Sequence, residues 1–159
     1  MTATPAKSKR REHPVDRAPG DSAEQKEAEK LLVDWLSERL GVKLETARLP
    51  LPSGGWLEID GACESPPILC EAWAHQGPPK SGQKQKVVTD AFKLIYAGQL
   101  VSGRPRLILL FGDVEAASHF KGTSWMAQAI RASGIEVRVA ELPDPVRAMI
   151  RKAQARQFR

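Results

Sequence analysis

The sequence predicts a single α/β domain in which a mixed central sheet of about five strands is flanked by helices, in the order αβββαβαβα. Apolar residues recur at helical spacing in several segments, and alternating or continuously apolar runs between them have the character of strands. In the second half strands and helices alternate, which favours right-handed crossovers between parallel strands. A chain of 159 residues with 42% hydrophobic content is long enough to bury one core.

The first half of the chain predicts one helix and three strands. Ser22 and Gln25 have the spacing of a capping box, and Gly41 supplies a left-handed stop, so the helix is expected over about 22–40. A turn-rich segment follows the first strand. The three strands are expected over about 42–49, 56–62 and 67–74.

The second half predicts alternating helices and strands. A long helix is expected over about 80–101, and the apolar run at 106–111 suits a central strand covered on both faces. Helical segments within 113–133 are interrupted near Gly122. The remaining elements are an alternating strand over 135–142 and a last helix that begins at Asp144 and Pro145.

The formal net charge of +5 is concentrated at the two ends of the chain. Residues 1–20 carry five basic against two acidic residues and lack periodicity, which predicts a disordered basic tail. The domain is then expected over 21–156, with a short tail at 157–159. Basic ends favour a polyanion partner, so Arg10 and Arg11 are predicted to contact nucleic acid; solubilising tails are the alternative.

The sequence argues against several other classes. No segment approaches the roughly 18 consecutive apolar residues of a membrane span, and the N-terminus lacks the apolar region of a secretory signal. Cys63 and Cys70 are expected out of register on adjacent strands, and no C-x-x-C pair suggests zinc. We therefore expect a cytoplasmic protein without a membrane partner.

Two carboxylates on neighbouring strands are the strongest chemical signal. Alternation places Asp60 near the end of one strand, and Glu71 lies inside the next among apolar residues. Side chains directly opposite on an antiparallel pair lie about 4.5–5.5 Å apart. Because an unpaired buried carboxylate is costly, Glu71 needs a metal or a cation; a pair of sheet-edge acids is the alternative interpretation.

The order of elements, with Ile59-Asp60 at one strand and Glu71-x-Trp73 in the next, resembles the PD-(D/E)XK nuclease superfamily over about residues 22–142. The resemblance implies a restriction-endonuclease-like fold and Mg²⁺- or Mn²⁺-dependent hydrolysis of DNA, with Asp60 and Glu71 as metal ligands. Trp73 stands where that pattern has lysine. In some members the lysine has moved to the following helix, where Lys80, Lys84 and Lys86 are available; Lys84 or Lys86 is preferred.

Further residues complete the predicted site. Glu58 or Glu38 is a candidate for the remaining metal coordination, and Lys80, Gln83 and His75 are candidates for contacts with nucleic acid. A plain alternative exists for the long helix. Its polar line, Lys86, Asp90 and Lys93, has the spacing of a surface ion ladder.

Two other functions remain open on the sequence alone. The loss of the motif lysine fits a catalytically inactive module that binds nucleic acid or a protein partner. A small regulatory protein acting through the helix at 146–150 is a weaker hypothesis. Among partners DNA comes first and RNA second, and a homodimer is compatible with the sequence.

Overall fold

The computed structural model describes residues 22–157, and the predictions for the tail at 1–20, including Arg10 and Arg11, lie outside that range. The fold is α/β with a five-stranded mixed sheet, as predicted. The elements in chain order are α1 (Ala23–Leu40), β1 (Glu45–Pro50), β2 (Trp56–Glu64), β3 (Pro67–Trp73), α2 (Ser81–Leu100), β4 (Arg106–Phe111), α3 (Val114–Lys121), α4 (Trp125–Ala132), β5 (Ile135–Val139) and α5 (Asp144–Arg156).

The strands lie in the sheet in the order of the chain, β1-β2-β3-β4-β5. The first three form an antiparallel meander, and β3, β4 and β5 are parallel to one another. The two parallel connections each contain helices, as crossovers require. This is the mixed topology that the alternation of elements predicts.

The two faces of the sheet carry separate apolar cores. On one face α1 and α5 cover side chains such as Ile68, Cys70 and Ile108. On the other face α2, α3 and α4 cover Leu69, Leu109 and other residues of the alternate register. Because β3 and β4 are covered on both sides, they are apolar nearly throughout.

The ends of α1 follow the predicted local chemistry. The Ser22 hydroxyl accepts a hydrogen bond from the Gln25 backbone N–H at 3.2 Å, and Gln25 Oε1 accepts one from the Ser22 N–H at 3.4 Å. Gly41 ends the helix with φ of 64°, in the left-handed region that glycine adopts readily. The capping box and the stop are both confirmed.

A β-bulge lies in β2 at Asp60 and Gly61. The β1–β2 register shifts between the pairs Glu45↔Ala62 and Ala47↔Ile59, so that both bulge residues oppose Thr46 alone. Strict alternation would place Ile59 and Ala62 on opposite faces, but both contact the α2-side core. Regular alternation therefore breaks between Asp60 and Ala62, because a bulge inserts one residue and re-aims the side chains beside it.

Strands β2 and β3 pair over only part of their length. Their ladder runs from Glu64↔Pro67 to Gly61↔Cys70 and ends there. Cys63 is opposite Ile68, so the two cysteines are out of register, and both are free thiols. On its other edge β3 pairs with β4 from Ile68 to Trp73, and beyond Cys70 a cleft opens between β3 and the first half of β2.

Smaller differences concern the ends of elements. The first strand begins at Glu45, later than predicted, and the fifth ends at Val139. Two helices occupy the segment 113–133: α3 ends before Gly122, and Ser124 caps α4 by accepting a hydrogen bond from the Ala127 N–H. Within residues 22–157 no helix is long and apolar enough to cross a membrane.

Candidate functional site

A cleft of about 640 Å³ lies where β2 and β3 separate. The middle of α1 forms one wall, the polar face of α2 forms another, and the start of β1 closes one end. Its charged side chains comprise five lysines and seven acids, namely Lys26, Lys30, Lys43, Lys86, Lys93, Glu29, Asp34, Glu45, Glu58, Asp60, Glu71 and Asp90.

Asp60 and Glu71 lie at the apex of this cleft and hold each other in place. The backbone N–H of Asp60 donates to Glu71 Oε1 at 3.2 Å, and the N–H of Ala72 donates to Asp60 Oδ2 at 2.9 Å. These side-chain bonds stand where the β2–β3 ladder has ended, so they satisfy backbone groups that the parting strands leave unpaired. The sequence correctly predicts that the two carboxylates meet.

Lys93 of α2 supplies the cation next to this pair. Its Nζ lies 2.8 Å from Glu71 Oε2, and the carboxylate side chain is only 5% exposed. Two turns earlier, Lys86 Nζ lies 3.7 Å from Asp90 Oδ2 and 5.5 Å from the centre of the Trp73 ring. The polar line of α2 is thus the wall of a cleft and not an ion ladder on an open surface.

Burial and mutual repulsion shape the electrostatics of the apex. Burial, reinforced by the charge of Asp60, raises the pKa of Glu71 to about 8 although Lys93 opposes the shift. Burial also raises the pKa of Asp90, against the effect of Lys86 and Lys93. Burial alone would lower the pKa of Lys93, but Glu71, with Asp90 and Asp60, raises it. The nearby lysines therefore do not fully compensate the cost of ionising the carboxylates at the apex.

The structure does not bring Lys84 to the carboxylates. Residues 86, 90 and 93 share one face of α2, whereas Lys84 precedes Lys86 by about 200° around the helix axis. It lies near His119 instead, where burial and then the Lys84 charge lower the pKa of the imidazole. Of the predicted lysines only Lys86 lines the cleft, and Lys93 takes the position expected for Lys84.

A divalent cation would find two carboxylates here, not three. Glu58 lines the cleft but pairs with Arg48 at 3.3 Å. Glu38 lies in the last turn of α1, beyond the turns that reach the cleft, so the prediction that it completes the coordination is wrong. Among the residues described, no group of three or more His, Cys, Asp or Glu side chains is arranged to hold a metal.

The donor set nevertheless suits magnesium. Asp60 and Glu71 supply hard carboxylate oxygens, and Oδ1 of Asp60 has no hydrogen bond within residues 22–157. Mg²⁺ is commonly held by one or two carboxylates, with water and substrate phosphate completing its coordination. The raised pKa of Glu71 also means that an added positive charge at this point would be favourable. Asp60 and Glu71 are the residues that would hold it.

His75 has an internal role in the structure. Its ring is 9% exposed and stacks on Trp73 with 4.4 Å between centroids. Gln25 Nε2 lies 3.0 Å from His75 Nε2, and Gln83 Nε2 lies 3.3 Å from Nδ1. His75 and Gln83 thus belong to a polar link that joins α1, the end of β3 and α2, and their contact with nucleic acid stays a prediction.

Trp73 and Lys80 both lie outside the lining of the cleft. Trp73 is 4% exposed and packs in the α2-side core, and its indole Nε1 has no hydrogen-bond partner in the described part of the chain. It fills space and cannot replace a lysine. Lys80 immediately precedes α2, where its backbone N–H donates to Gln83 Oε1 at 2.9 Å, and it does not line the cleft.

The sequence analysis did not predict three of the cleft lysines. Lys26 and Lys30 lie one turn apart on the face of α1 that Asp34 shares, and Lys43 precedes β1. The four-residue spacing of Lys26 and Lys30 is visible in the sequence, but it is equally typical of a solvated helix face. Only the tertiary fold, which turns this face toward Asp60, distinguishes the two.

A scan against models of protein families, a search of curated proteins and a search of solved structures each returned no match.

Proposed function

We propose that this protein is a metal-dependent nuclease that hydrolyses phosphodiester bonds of DNA. The observation that carries the proposal is the apex of the cleft, where Asp60 and Glu71 interlock and Lys93 Nζ lies 2.8 Å from Glu71 Oε2. Two carboxylates and one ammonium group at a strand junction are the donor set that phosphodiester hydrolysis with magnesium requires. The resemblance to the PD-(D/E)XK superfamily supports the same reaction.

Each of these side chains has a role that follows from its position. Asp60 and Glu71 would bind Mg²⁺ or Mn²⁺, which lowers the pKa of a water molecule and offsets charge on phosphate oxygens. Lys93 would hold and orient the attacking water and stabilise the charge that develops on the phosphate. Lys86, at 49% side-chain exposure, is placed to contact a phosphate at the mouth of the cleft.

The test is cleavage of DNA by the purified full chain with Mg²⁺ or Mn²⁺. We expect plasmid and linear DNA to be cut, and EDTA to stop the reaction. Asp60→Asn and Glu71→Gln should abolish cleavage. Lys93→Met should lower the rate by about 10²–10³, the typical effect of removing one group that stabilises a transition-state charge.

Lys84→Met is the matched comparison for Lys93→Met. Both remove one ammonium group from α2, but only Lys93 reaches Glu71. Full activity in the Lys84 variant together with loss in the Lys93 variant assigns the catalytic lysine. The reverse result would return the assignment to Lys84.

The position of Trp73 favours one alternative function. Since a buried tryptophan occupies the motif position of lysine, the fold could serve as an inactive module that binds nucleic acid or a protein. Salt-sensitive DNA binding without cleavage under either metal would support an inactive module that binds nucleic acid, and it would contradict the nuclease proposal. The same assays with single-stranded DNA and RNA identify the substrate.

A further inference from the structure

An apolar groove runs between α2 and α4 on the side of α2 that faces away from the cleft. We call it the α2–α4 groove and define it by Val88, Phe92 and Ile95 of α2 with Trp125, Met126 and Ala129 of α4. Residues 88, 92 and 95 each follow a cleft residue by two positions, which is about 200° around the helix. A partner in this groove therefore leaves the cleft open.

Large aromatic side chains stand exposed at this groove. Phe92 is 73% exposed and Trp125 is 66% exposed, and Tyr96, next to Ile95, is 40% exposed. Single exposed apolar residues are common on protein surfaces, but a cluster beside a groove marks an interaction site. The size of the groove also matters: its volume of about 170 Å³ is close to the roughly 150 Å³ that accommodates a benzene ring in an engineered cavity.

The charge of the groove indicates which partner fits. None of its lining residues is charged, in a chain that is 27% charged with a formal net charge of +5. Nucleic acid binding requires cations that this surface lacks. A second copy of the chain would be repelled through its basic regions, but an uncharged face avoids placing like charges opposite one another across a two-fold axis.

We infer that the α2–α4 groove is the contact between two copies of this chain. Each copy offers both an exposed aromatic ring and a groove of matching size. One isologous contact therefore buries the aromatic rings and the grooves of both copies. Phe92 or Trp125 of one copy enters the groove of the other. The inference does not depend on the proposed nuclease activity.

The exposed area sets the strength of the contact. From their exposed fractions, Phe92 and Trp125 offer on the order of 300 Å² per copy, less than half of the roughly 800 Å² per partner of a standard stable interface. The dimer is therefore expected to be weak. It forms at high protein concentration and dissociates on dilution.

The test is sedimentation velocity of the full chain between about 2 and about 500 μM, a range that covers micromolar dissociation constants. We expect a reversible shift from the 17.5 kDa monomer to twice that mass, and the shift should persist at high salt because the contact is apolar. Phe92→Glu and Trp125→Glu should each weaken dimerisation by about tenfold or more.

Trp56→Glu is the matched control, since Trp56 is 65% exposed but lies at the start of β2, away from the groove. It should dimerise like the original chain. A monomer at every concentration would overturn the inference, and this result needs no variant. Dimerisation that survives both groove substitutions, or that Trp56→Glu abolishes equally, would also overturn it. Circular dichroism confirms that each variant is folded.

Discussion

The carboxylate of Glu71 connects three parts of the cleft, because Oε1 accepts from the Asp60 backbone and Oε2 meets Lys93 on α2. At the residue scale, the sequence predicts the meeting of Asp60 and Glu71, since both lie on adjacent strands at compatible positions. It does not predict Lys93 over Lys84. That choice depends on which face of α2 turns toward the carboxylates, and a helix with polar groups on several sides does not reveal this.

Glu71 gives a prediction for the pH dependence of stability. Its pKa in the folded protein is raised to about 8 from an ordinary value of 4.5, so the metal-free protein loses stability as pH rises through that interval. Glu71→Gln removes this loss and keeps the side-chain oxygen for the Asp60 N–H. In EDTA at pH 9 we expect the variant to be more stable by about 1–3 kcal/mol, with little difference at pH 4.5.

Urea unfolding at several pH values measures this effect, with the exposed Glu64→Gln as the control for the substitution itself. The pKa of about 8 already includes the attraction of Lys93, and the expected gain is smaller than the full shift would give because water and neighbouring groups relax around an ionised carboxylate. If Glu71→Gln were less stable than the original chain at pH 9, the ion pair with Lys93 would outweigh the cost of burying the carboxylate.

At the scale of elements, the junction of β2 with α1 controls where Asp60 lies. A Cβ added to Gly61 would lie 2.9 Å from Val33 Cγ1, 3.5 Å from Leu44 Cβ and 3.6 Å from Cys70 Cβ. Only glycine lets α1 approach the bulge this closely. Most element boundaries were predictable from capping residues and alternation. The bulge was not predicted: Gly61 inside a strand pattern is a weak signal for one, but its position depends on pairing with β1.

Gly61→Ala is therefore expected to destabilise the protein by about 1–3 kcal/mol, the usual cost of overpacking. It should also weaken binding of Mg²⁺ by displacing Asp60. Gly82→Ala is the matched control, since Gly82 lies in the first turn of α2 with nothing within 4 Å of the added Cβ. There the same change should be neutral or stabilising by up to about 1 kcal/mol.

Thermal unfolding in EDTA and magnesium titration by calorimetry separate the two effects. Equal stability of Gly61→Ala and Gly82→Ala would show that Val33 moves aside without cost. In that case the close approach of α1 would not constrain the position of Asp60.

At the scale of the whole molecule, a polar cluster at the ends of β3 and β4 fastens α5 to the sheet. Arg147 Nε donates to Gln76 Oε1 at 2.9 Å, and Arg147 Nη2 donates to Asp113 Oδ1 at 3.1 Å. Gln154 exchanges two further hydrogen bonds with the Gln76 backbone. The sequence predicts α5 from its start signal and apolar stripe, yet this cluster joins residues more than 30 positions apart and could not be read from local patterns.

Arg147→Met should lower the free energy of unfolding by about 2–4 kcal/mol, because it leaves the buried Asp113 carboxylate and Gln76 oxygen without their cation. Asp113 has a side-chain exposure of only 5%, so water cannot fully compensate. Arg151→Met, one turn further along α5 and exposed, should change stability by less than about 0.5 kcal/mol. Denaturant unfolding of both variants checks the difference, and similar values for the two would contradict a structural role for the cluster.

The bulge at Asp60 and Gly61 links the position of one cleft side chain to the length of β2. One surplus residue in β2 decides which way the Asp60 side chain points, while the ladders on either side of it remain ordinary. A chain without Gly61 would regain a one-to-one β1–β2 register and keep every acid and lysine of the cleft, but Asp60 would then take the position where a Cβ meets Val33. Such a deletion would therefore disturb the position of Asp60 through strand register and at a cost in stability, while the acids, the lysines and the net charge of the chain stay unchanged.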